Sequence, residues 1–215
     1  MFITYHSLGC FKIQTKDAVI ITDPYQDSVG LKLPKAKADI VTMTDPNSEL
    51  CNNIDRVIGE PIVVDHPGEY ESHNTFIYSV PSGGSVPGGG SVPADGSDYP
   101  SSFLMVTEDI FIAHLGLTDK LLTDKQLELF EDAHILFLPL QTLSGEKASE
   151  IVSQIEPRLI VPMYYQLPGL KIKSVPPAVF AKEMGVKDYT GETRLKISKK
   201  DLPQEETKVV FMQPS

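Results

Sequence analysis

The sequence predicts a layered α/β or α+β domain in which helices cover β-sheets. Its 215 residues, 41% of them hydrophobic, are enough for one domain with a substantial buried core. The first half is rich in short runs of β-branched and aromatic residues, which is typical of strands. The second half alternates such runs with segments of helical periodicity. We therefore expect a single domain over residues 1–215.

Six strands are predicted before residue 82. Short polar breaks such as Lys16-Asp17 separate the first three apolar runs, which favours a meander. The later runs end at polar or Pro-Gly segments, which is typical of buried strands. A short helix is expected over Leu50–Val57. The predicted strands are Met1–Tyr5, Cys10–Gln14, Ala18–Thr22, Asp39–Thr44, Pro61–Asp65 and Thr75–Val80.

Glycine, serine and proline dominate the segment from Ser82 to Asp98. Within it, the five residues Gly83–Pro87 are repeated as Gly89–Pro93. Two copies are too few for a solenoid, and no helix pattern follows that could place these glycines against a phosphate. The composition predicts a linker or mobile flap, and a lid that orders over a ligand is the alternative.

The second half begins with a predicted hairpin and continues with three helices. Thr123 and Gln126 form a capping-box pattern that opens the first helix, and Ser144 can cap the second. Pro157 ends the second helix and Gly185 the third, which is expected over Pro176–Met184. The predicted strands are Phe103–Val106, Ile110–His114, Ile135–Leu138, Leu159–Met163, and a terminal strand pair at about residues 193–213 formed by Arg194–Ser198 and Lys208–Met212.

Composition and charge argue against several classes of partner. With 29 acidic and 19 basic residues the formal net charge is −10, so the phosphates of a nucleic acid would be repelled. No apolar run approaches the roughly 20 residues of a membrane-spanning helix, and the N-terminus lacks the pattern of a signal peptide. We therefore expect a cytoplasmic protein with no nucleic-acid or membrane partner. Its two cysteines, Cys10 and Cys51, are expected to be reduced thiols.

Several short motifs occur along the chain in an order that is specific, although each is weak alone. They are Ile3-Thr4-Tyr5, Cys10-Phe11-Lys12-Ile13, Ile21-Thr22-Asp23-Pro24-Tyr25, Ala38-Asp39-Ile40-Val41, Pro67-Gly68-Glu69-Tyr70-Glu71, His114-Leu115-Gly116, Leu122-Thr123-Asp124-Lys125-Gln126-Leu127, Ile155-Glu156-Pro157 and Val161-Pro162-Met163-Tyr164-Tyr165. Together they resemble the metallo-β-lactamase superfamily, and most closely its UlaG-like branch, which includes L-ascorbate-6-phosphate lactonase. The resemblance implies a four-layer αβ/βα sandwich with a metal site on loops at one edge.

At the implied metal site the sequence departs from the family. The family's His-x-His-x-Asp-His motif corresponds to the segment Asp45–Leu50, which contains no histidine. Leu117 stands in place of the bridging aspartate, Tyr164 in place of the last histidine, and Leu8 in place of the histidine of the entry motif. The loop of residues 82–98 has no histidine for the remaining ligand position. Because zinc hydrolases need imidazole and carboxylate ligands, the correspondence implies that the metal ligands are lost.

Polar residues nevertheless remain at this implied site. The resemblance matches Asp23 to the aspartate that supports the metal motif, and it keeps His114, for which we expect a structural hydrogen bond. Asp45, Asn47 and Glu49 carry side-chain oxygens at alternate positions of one loop. These oxygens could bind Ca²⁺ or Mg²⁺, and a solvated turn is the alternative. The candidate vestigial binding site, with no catalytic residue and no metal ligand assigned, comprises Asp23, Asp45, Asn47, Glu49, His114 and Tyr164.

Two functional hypotheses follow from this comparison. The leading hypothesis is a pseudo-hydrolase without a cofactor, which keeps the hydrolase scaffold and binds an unidentified ligand or protein partner, or forms a homo-oligomer. The alternative is a metal-dependent hydrolase of the UlaG-like or lactonase type, with zinc or another divalent metal in a rebuilt oxygen-rich site. The metal content of the purified protein distinguishes the two.

Overall fold

Two β-sheets and a small two-stranded sheet make up the strands of the computed structural model, which describes residues 1–82, 100–187, 189 and 191–215. The described strands are β1 (Phe2–Ser7), β2 (Cys10–Gln14), β3 (Val19–Thr22), β4 (Ala36–Lys37), β5 (Ile40–Thr42), β6 (Val57–Ile58), β7 (Ile62–Val64), β8 (Gly68–Ser72), β9 (Thr75–Pro81), β10 (Ser101–Thr107), β11 (Ile110–His114), β12 (Ile135–Pro139), β13 (Leu159–Met163), β14 (Arg194–Lys196) and β15 (Lys208–Val209). The described helices are α1 (Asp124–Phe130), α2 (Gly145–Ile155) and α3 (Pro177–Glu183), with short 3₁₀ helices at Asp27–Val29, Ile54–Arg56 and Lys199–Asp201.

Each main sheet combines an antiparallel part with a parallel part. The first sheet has the order β14-β1-β2-β3-β5-β7, in which β1 to β3 form the predicted meander and β3, β5 and β7 run parallel. The second has the order β15-β13-β12-β11-β10-β9-β8, in which β8 to β11 are antiparallel and β11 to β13 are parallel. Since parallel strands end at the same edge of a sheet, the segments that follow β3 and β5 leave one edge of the first sheet, and those that follow β11 and β13 leave one edge of the second.

Aromatic side chains from the two main sheets meet in the core. Phe11 on β2 stacks on Phe137 of β12, with 4.1 Å between ring centroids. The ring centroid of Tyr5, on β1, lies 5.7 Å from that of Tyr165, which follows β13. All four side chains are buried, and aromatic pairs of this kind contribute both buried apolar area and specific ring contacts. The predicted sheet-rich αβ fold, with two sheets face to face, is confirmed.

Local sequence signals account for the turns and helix ends of the second half. The predicted hairpin of β10 and β11 is confirmed, and Glu108 and Asp109 at its turn both have positive φ, 51° and 59°, as a type I′ turn requires. The predicted capping box is also present, because Thr123 Oγ1 accepts from the Gln126 amide and the Gln126 side chain accepts from the Thr123 amide. Ser144 caps α2 through the Lys147 amide.

The prediction of a helix over Leu50–Val57 is wrong in length and type. The chain forms only the 3₁₀ turn Ile54–Arg56 and then enters β6. Side-chain and backbone bonds from Asn53 explain the interruption, since its Nδ2 donates to Tyr25 O at 2.9 Å and its amide donates to Pro24 O at 2.6 Å. These bonds hold the segment against the backbone that follows β3, so it does not continue as an α-helix. Among the described residues, α-helices occur only after residue 123.

The predicted terminal strand pair is also wrong, because its two members belong to different sheets. β14 lies antiparallel to β1 at one edge of the first sheet, with Ile3 opposite Leu195. β15 lies parallel to β13 at one edge of the second sheet, with Ile160 opposite Val209. The connection of residues 197–207 is long enough to pass from one sheet to the other, so each strand extends an existing edge.

Two further sequence predictions concern what lies outside the core. Apart from Ser82, which follows β9, the predicted loop of residues 82–98 lies outside the described residues. Within the described parts of the chain, no helix is both long enough and apolar enough to cross a bilayer.

Candidate functional site

The candidate site is built where five chain segments leave the two sheets. Gly9 lies in the turn between β1 and β2, Asp23 follows β3, and Thr44 lies just beyond β5. From the second sheet, His114 ends β11 and Tyr164 follows β13. We call these five residues the central cluster. It brings together three of the residues predicted from sequence, Asp23, His114 and Tyr164.

Asp23 is fully buried and its carboxylate accepts three hydrogen bonds. Oδ1 accepts from the Thr44 amide at 2.7 Å, while Oδ2 accepts from Thr44 Oγ1 at 2.8 Å and from Tyr164 Oη at 3.1 Å. Burial raises the pKa of Asp23 above its usual range, and the hydrogen bonds from Thr44 and Tyr164 oppose that rise. The three donors are the pattern expected around an ionised carboxylate.

Tyr164 supplies one of those donors from an unusual backbone conformation. Its φ is +57°, a region that L-residues other than glycine, asparagine and aspartate seldom adopt, and its amide donates to Leu8 O at 3.2 Å. The ring is fully buried, and burial followed by the charge of Asp23 raises the pKa of the phenol well above its usual range. Tyr164 is therefore a neutral donor held against a carboxylate.

His114 is buried with both ring nitrogens engaged. Nε2 lies 3.0 Å from Gly9 O, and Nδ1 accepts from the Gly116 amide at 3.2 Å. Because a carbonyl oxygen can only accept, Nε2 carries the proton and Nδ1 does not, which makes the ring neutral. The structural hydrogen bond predicted for His114 is present. Its Nε2 also lies 3.8 Å from Asp23 Oδ2.

Gly9 has no side chain, and the side chains of Asp23 and Tyr164 occupy the space that one would need. A Cβ atom at this position would lie 2.6 Å from Asp23 Oδ2 and 2.6 Å from Tyr164 Oη, which is closer than real Cβ contacts allow. The absence of a side chain therefore lets the phenol and the carboxylate approach each other. Sequence reasoning did not identify Gly9 or Thr44, because their roles depend on contacts with Asp23 and Tyr164 that are distant along the chain.

The loop that holds Asp45, Asn47 and Glu49 forms a turn beside the central cluster. Asp45 is buried, and its Oδ1 accepts from the Asn47 amide at 2.9 Å, closing an Asx turn. Cys51 Sγ lies 3.1 Å from Asp45 O as donor and 3.3 Å from the Asp45 amide as acceptor. Glu49 is exposed and accepts from Ser28 Oγ at 2.7 Å. Both cysteines are free and buried.

These groups do not fit a metal ion. The oxygens of Asp23 and the nitrogens of His114 already have hydrogen-bond partners inside the protein, and Tyr164 is a neutral donor. Leu8 and Leu117, which the sequence resemblance sets against a histidine of the entry motif and a bridging aspartate, are buried apolar side chains. Over the described ranges, no three His, Cys, Asp or Glu side chains are grouped as a metal site would need.

Backbone strain is concentrated at the same place. Ser7, Leu8, Asp23 and Tyr164 all have positive φ, at 139°, 55°, 40° and 57°. Such conformations cost of order 1–3 kcal/mol each and are typical of functional sites. The site therefore keeps a demanding backbone geometry although its side chains form a closed hydrogen-bonded cluster.

Comparisons with known proteins agree with this fold. A UPF0173 metal-dependent hydrolase of Lysinibacillus sphaericus is 26% identical to this chain, covering 77% of this chain and 85% of that protein. A Thermotoga maritima structure assigned to the Zn-dependent hydrolases of the metallo-β-lactamase superfamily is 26% identical, with a TM-score of 0.76 over 98% of this chain and 97% of that one. Igni18, a metallo hydrolase of Ignicoccus hospitalis, has a TM-score of 0.65 at 17% identity over 99% and 95% of the two chains, and therefore shares the fold. A family model described as the Beta-lactamase superfamily domain matches residues 2–164, and the chain belongs to this family.

Proposed function

We propose that this chain is a pseudo-hydrolase of the metallo-β-lactamase superfamily, derived from the UlaG-like branch, which acts by binding a ligand or protein partner. The proposal requires that the degenerate motif positions have ended metal-dependent catalysis. Its main support is that the central cluster is complete without a metal. Tyr164 donates to Asp23, and both ring nitrogens of His114 bond to backbone atoms of Gly9 and Gly116.

The chemistry of hydrolysis in related proteins gives the second support. A zinc ion activates water only when imidazole nitrogens and carboxylates bind the ion and leave one position open. Here the segment Asp45–Leu50 offers no imidazole, and Leu117 and Tyr164 stand at two further matched positions. A water held by these residues would not be ionised near neutral pH.

A metal-dependent hydrolase with a rebuilt oxygen-rich site is the second candidate. Two observations favour it, the names of the sequence relatives and the carboxylates of Asp45 and Glu49 on one loop. The contacts of this loop favour a turn instead, because Asp45 Oδ1 closes an Asx turn and Glu49 bonds to Ser28. We therefore rank this candidate second.

The proposed partner class follows from charge. A net charge of −10 disfavours nucleic acids as partners. We therefore propose that the partner is a small ligand, another protein or a second copy of the chain. We also propose that the protein is cytoplasmic.

Elemental analysis of protein purified without chelator tests the proposed function. We expect zinc, manganese, iron and calcium all at well below one equivalent per chain after gel filtration. The Lysinibacillus relative, purified in parallel, is the control for metal retention. One equivalent of any of these metals in this chain would overturn the proposal in favour of the rebuilt site. The same gel filtration reports the oligomeric state.

A further inference from the structure

We propose that the ring of Tyr164 is an internal ligand, seated in a buried phenol-binding site whose polar wall is Asp23. The inference does not rest on the proposed function, because it concerns only how the cluster is filled. Tyr164 has no exposed surface, and its hydroxyl donates to Asp23 Oδ2 at 3.1 Å. The residue matched to a metal ligand thus occupies the site itself.

The carboxylate of Asp23 is arranged to accept one hydroxyl from this direction. Thr44 donates to Oδ1 through its amide and to Oδ2 through its hydroxyl, at 2.7 and 2.8 Å. Without the phenol, the remaining lone pair of Oδ2 would be buried and unpaired. An unpaired buried acceptor is costly, and the cost is larger for a charged group, so the site favours an occupant with a hydroxyl over an apolar ring.

The surrounding backbone holds space open for such an occupant. Gly9 has no side chain where a Cβ would meet the hydroxyl of Tyr164 at 2.6 Å and its Cε2 at 2.9 Å. The Tyr164 main chain is fixed separately, through its amide bond to Leu8 O and its positive φ. The positions of the backbone and the ring are therefore set by different contacts, so the ring can be removed without losing the backbone bond.

Removing the side chain should convert the internal ligand into an external one. Tyr164→Gly deletes the ring, and glycine accepts the φ of +57° without strain. The deleted side chain corresponds to p-cresol. Toluene has the same ring and methyl group but lacks the hydroxyl. Buried cavities made by deleting a large side chain are known to bind ring compounds of matching shape. Here the carboxylate adds a preference for the phenol.

The test compares p-cresol and toluene by calorimetry and thermal unfolding. We expect p-cresol to bind Tyr164→Gly with a Kd at least tenfold below that of toluene, and to raise its Tm with increasing concentration. Wild type and Tyr164→Phe, in which the ring still fills the site, should respond to neither compound. Adding Asp23→Asn to Tyr164→Gly should reduce the preference for p-cresol, because a neutral amide is a weaker acceptor than a carboxylate.

Each outcome of this experiment decides the proposal. If Tyr164→Gly is unfolded alone, p-cresol should restore its near-ultraviolet circular dichroism and toluene should not. Equal binding of the two compounds, or no binding and no restoration by p-cresol, would overturn it. So would a Tyr164→Phe variant with an unchanged unfolding midpoint, since that variant loses only the hydroxyl that the site is proposed to recognise.

Discussion

Thr42 and Thr44 are two residues apart and both are fully buried, yet their hydroxyls have different surroundings. Thr44 Oγ1 donates to the Asp23 carboxylate, whereas Thr42 Oγ1 has no hydrogen-bond partner among the described residues. Valine has the shape of threonine with a methyl group in place of the hydroxyl. The pair therefore allows the hydrogen bond to be tested with a matched control.

We predict that Thr44→Val lowers the free energy of unfolding by about 1 to 3 kcal/mol, because it removes a donor from a buried carboxylate. Thr42→Val should leave the free energy of unfolding unchanged or raise it, because it removes an unpaired buried hydroxyl. Urea denaturation of both variants measures the difference. Equal losses in the two variants would mean that the bond to Asp23 contributes no more than packing does.

His6, at the end of β1, gives a prediction about pH. It is 9% exposed, and burial followed by the charge of Lys12 lowers its pKa to about 4. The unfolded chain, with a histidine pKa near 6.5, binds more protons than the folded chain between these values, so stability falls as the pH drops through that window. We predict that His6 accounts for a loss of roughly 1 to 2 kcal/mol between pH 7 and pH 5.

The measurement compares pH profiles of unfolding free energy. His6→Gln should flatten the profile between pH 7 and pH 5, because glutamine does not titrate. Wild type measured in the same buffers is the control. A His6→Gln profile parallel to that of wild type would contradict the assignment.

Single residues differ in how far the sequence reveals them. Asp23, His114 and Tyr164 were found because short motifs around them keep the order of a known family. Thr44 and Gly9 were not found, because a threonine beside a strand and a glycine in a turn have many uses. Thr44 acts through its hydrogen bonds to Asp23, and Gly9 through its close approach to Asp23 and to Tyr164, which lies more than a hundred residues away from it.

At the scale of elements, α1 depends on its N-terminal cap. The helix has only seven residues, too few to be stable without its cap and tertiary contacts. Its Gln126 completes the capping box and also donates through Nε2 to Pro81 O at 2.8 Å, which ties the helix to the end of β9. The cap therefore positions the helix as well as stabilising it.

We predict that Thr123→Ala lowers the free energy of unfolding by about 0.5 to 2 kcal/mol. Thr123→Ser keeps the capping oxygen and should lose much less. The conservative variant thus separates the cap from a general effect of substitution at this position. Denaturant unfolding monitored by far-ultraviolet circular dichroism measures both, and equal losses would show that the oxygen is not what stabilises the helix.

The elements were predicted well where a local signal exists and poorly where it does not. The capping box of α1 and the two-residue turn before β11 are encoded within a few residues, and both are present. β14 and β15 are short edge strands whose partners are β1 and β13, which are far apart in the sequence and lie in different sheets. Their apolar residues indicate strands, but no local signal selects the sheet.

At the scale of the whole molecule, the central cluster joins the two sheets. Tyr164 Oη bonds to Asp23, the Tyr164 amide to Leu8 O, and His114 Nε2 to Gly9 O, each linking the end of a strand in one sheet to a loop of the other. In a metal-dependent relative a bound ion can link such loops. Here these three hydrogen bonds link the loops directly.

This architecture leads to a prediction about restoring metal binding. The backbone at the matched positions is expected to present restored ligands together, as supporting elements do in designed sites. We predict that a sixfold variant binds zinc more tightly than wild type. The substitutions are Asp45→His, Asn47→His, Glu49→Asp, Leu50→His, Leu117→Asp and Tyr164→His. Competition with a chromogenic chelator measures the affinity.

A fivefold variant that keeps Tyr164 is the informative control. Its phenol would still occupy the site and engage Asp23 Oδ2, so we expect weaker zinc binding than in the sixfold variant. Recovery of hydrolysis is expected to be incomplete in either, since a misplacement of about 1 Å can cost a 10²-fold loss in rate. If the sixfold variant folds but binds zinc no better than wild type, the residue correspondence with the family's metal ligands is wrong, and the strained backbone around Gly9 must serve another purpose.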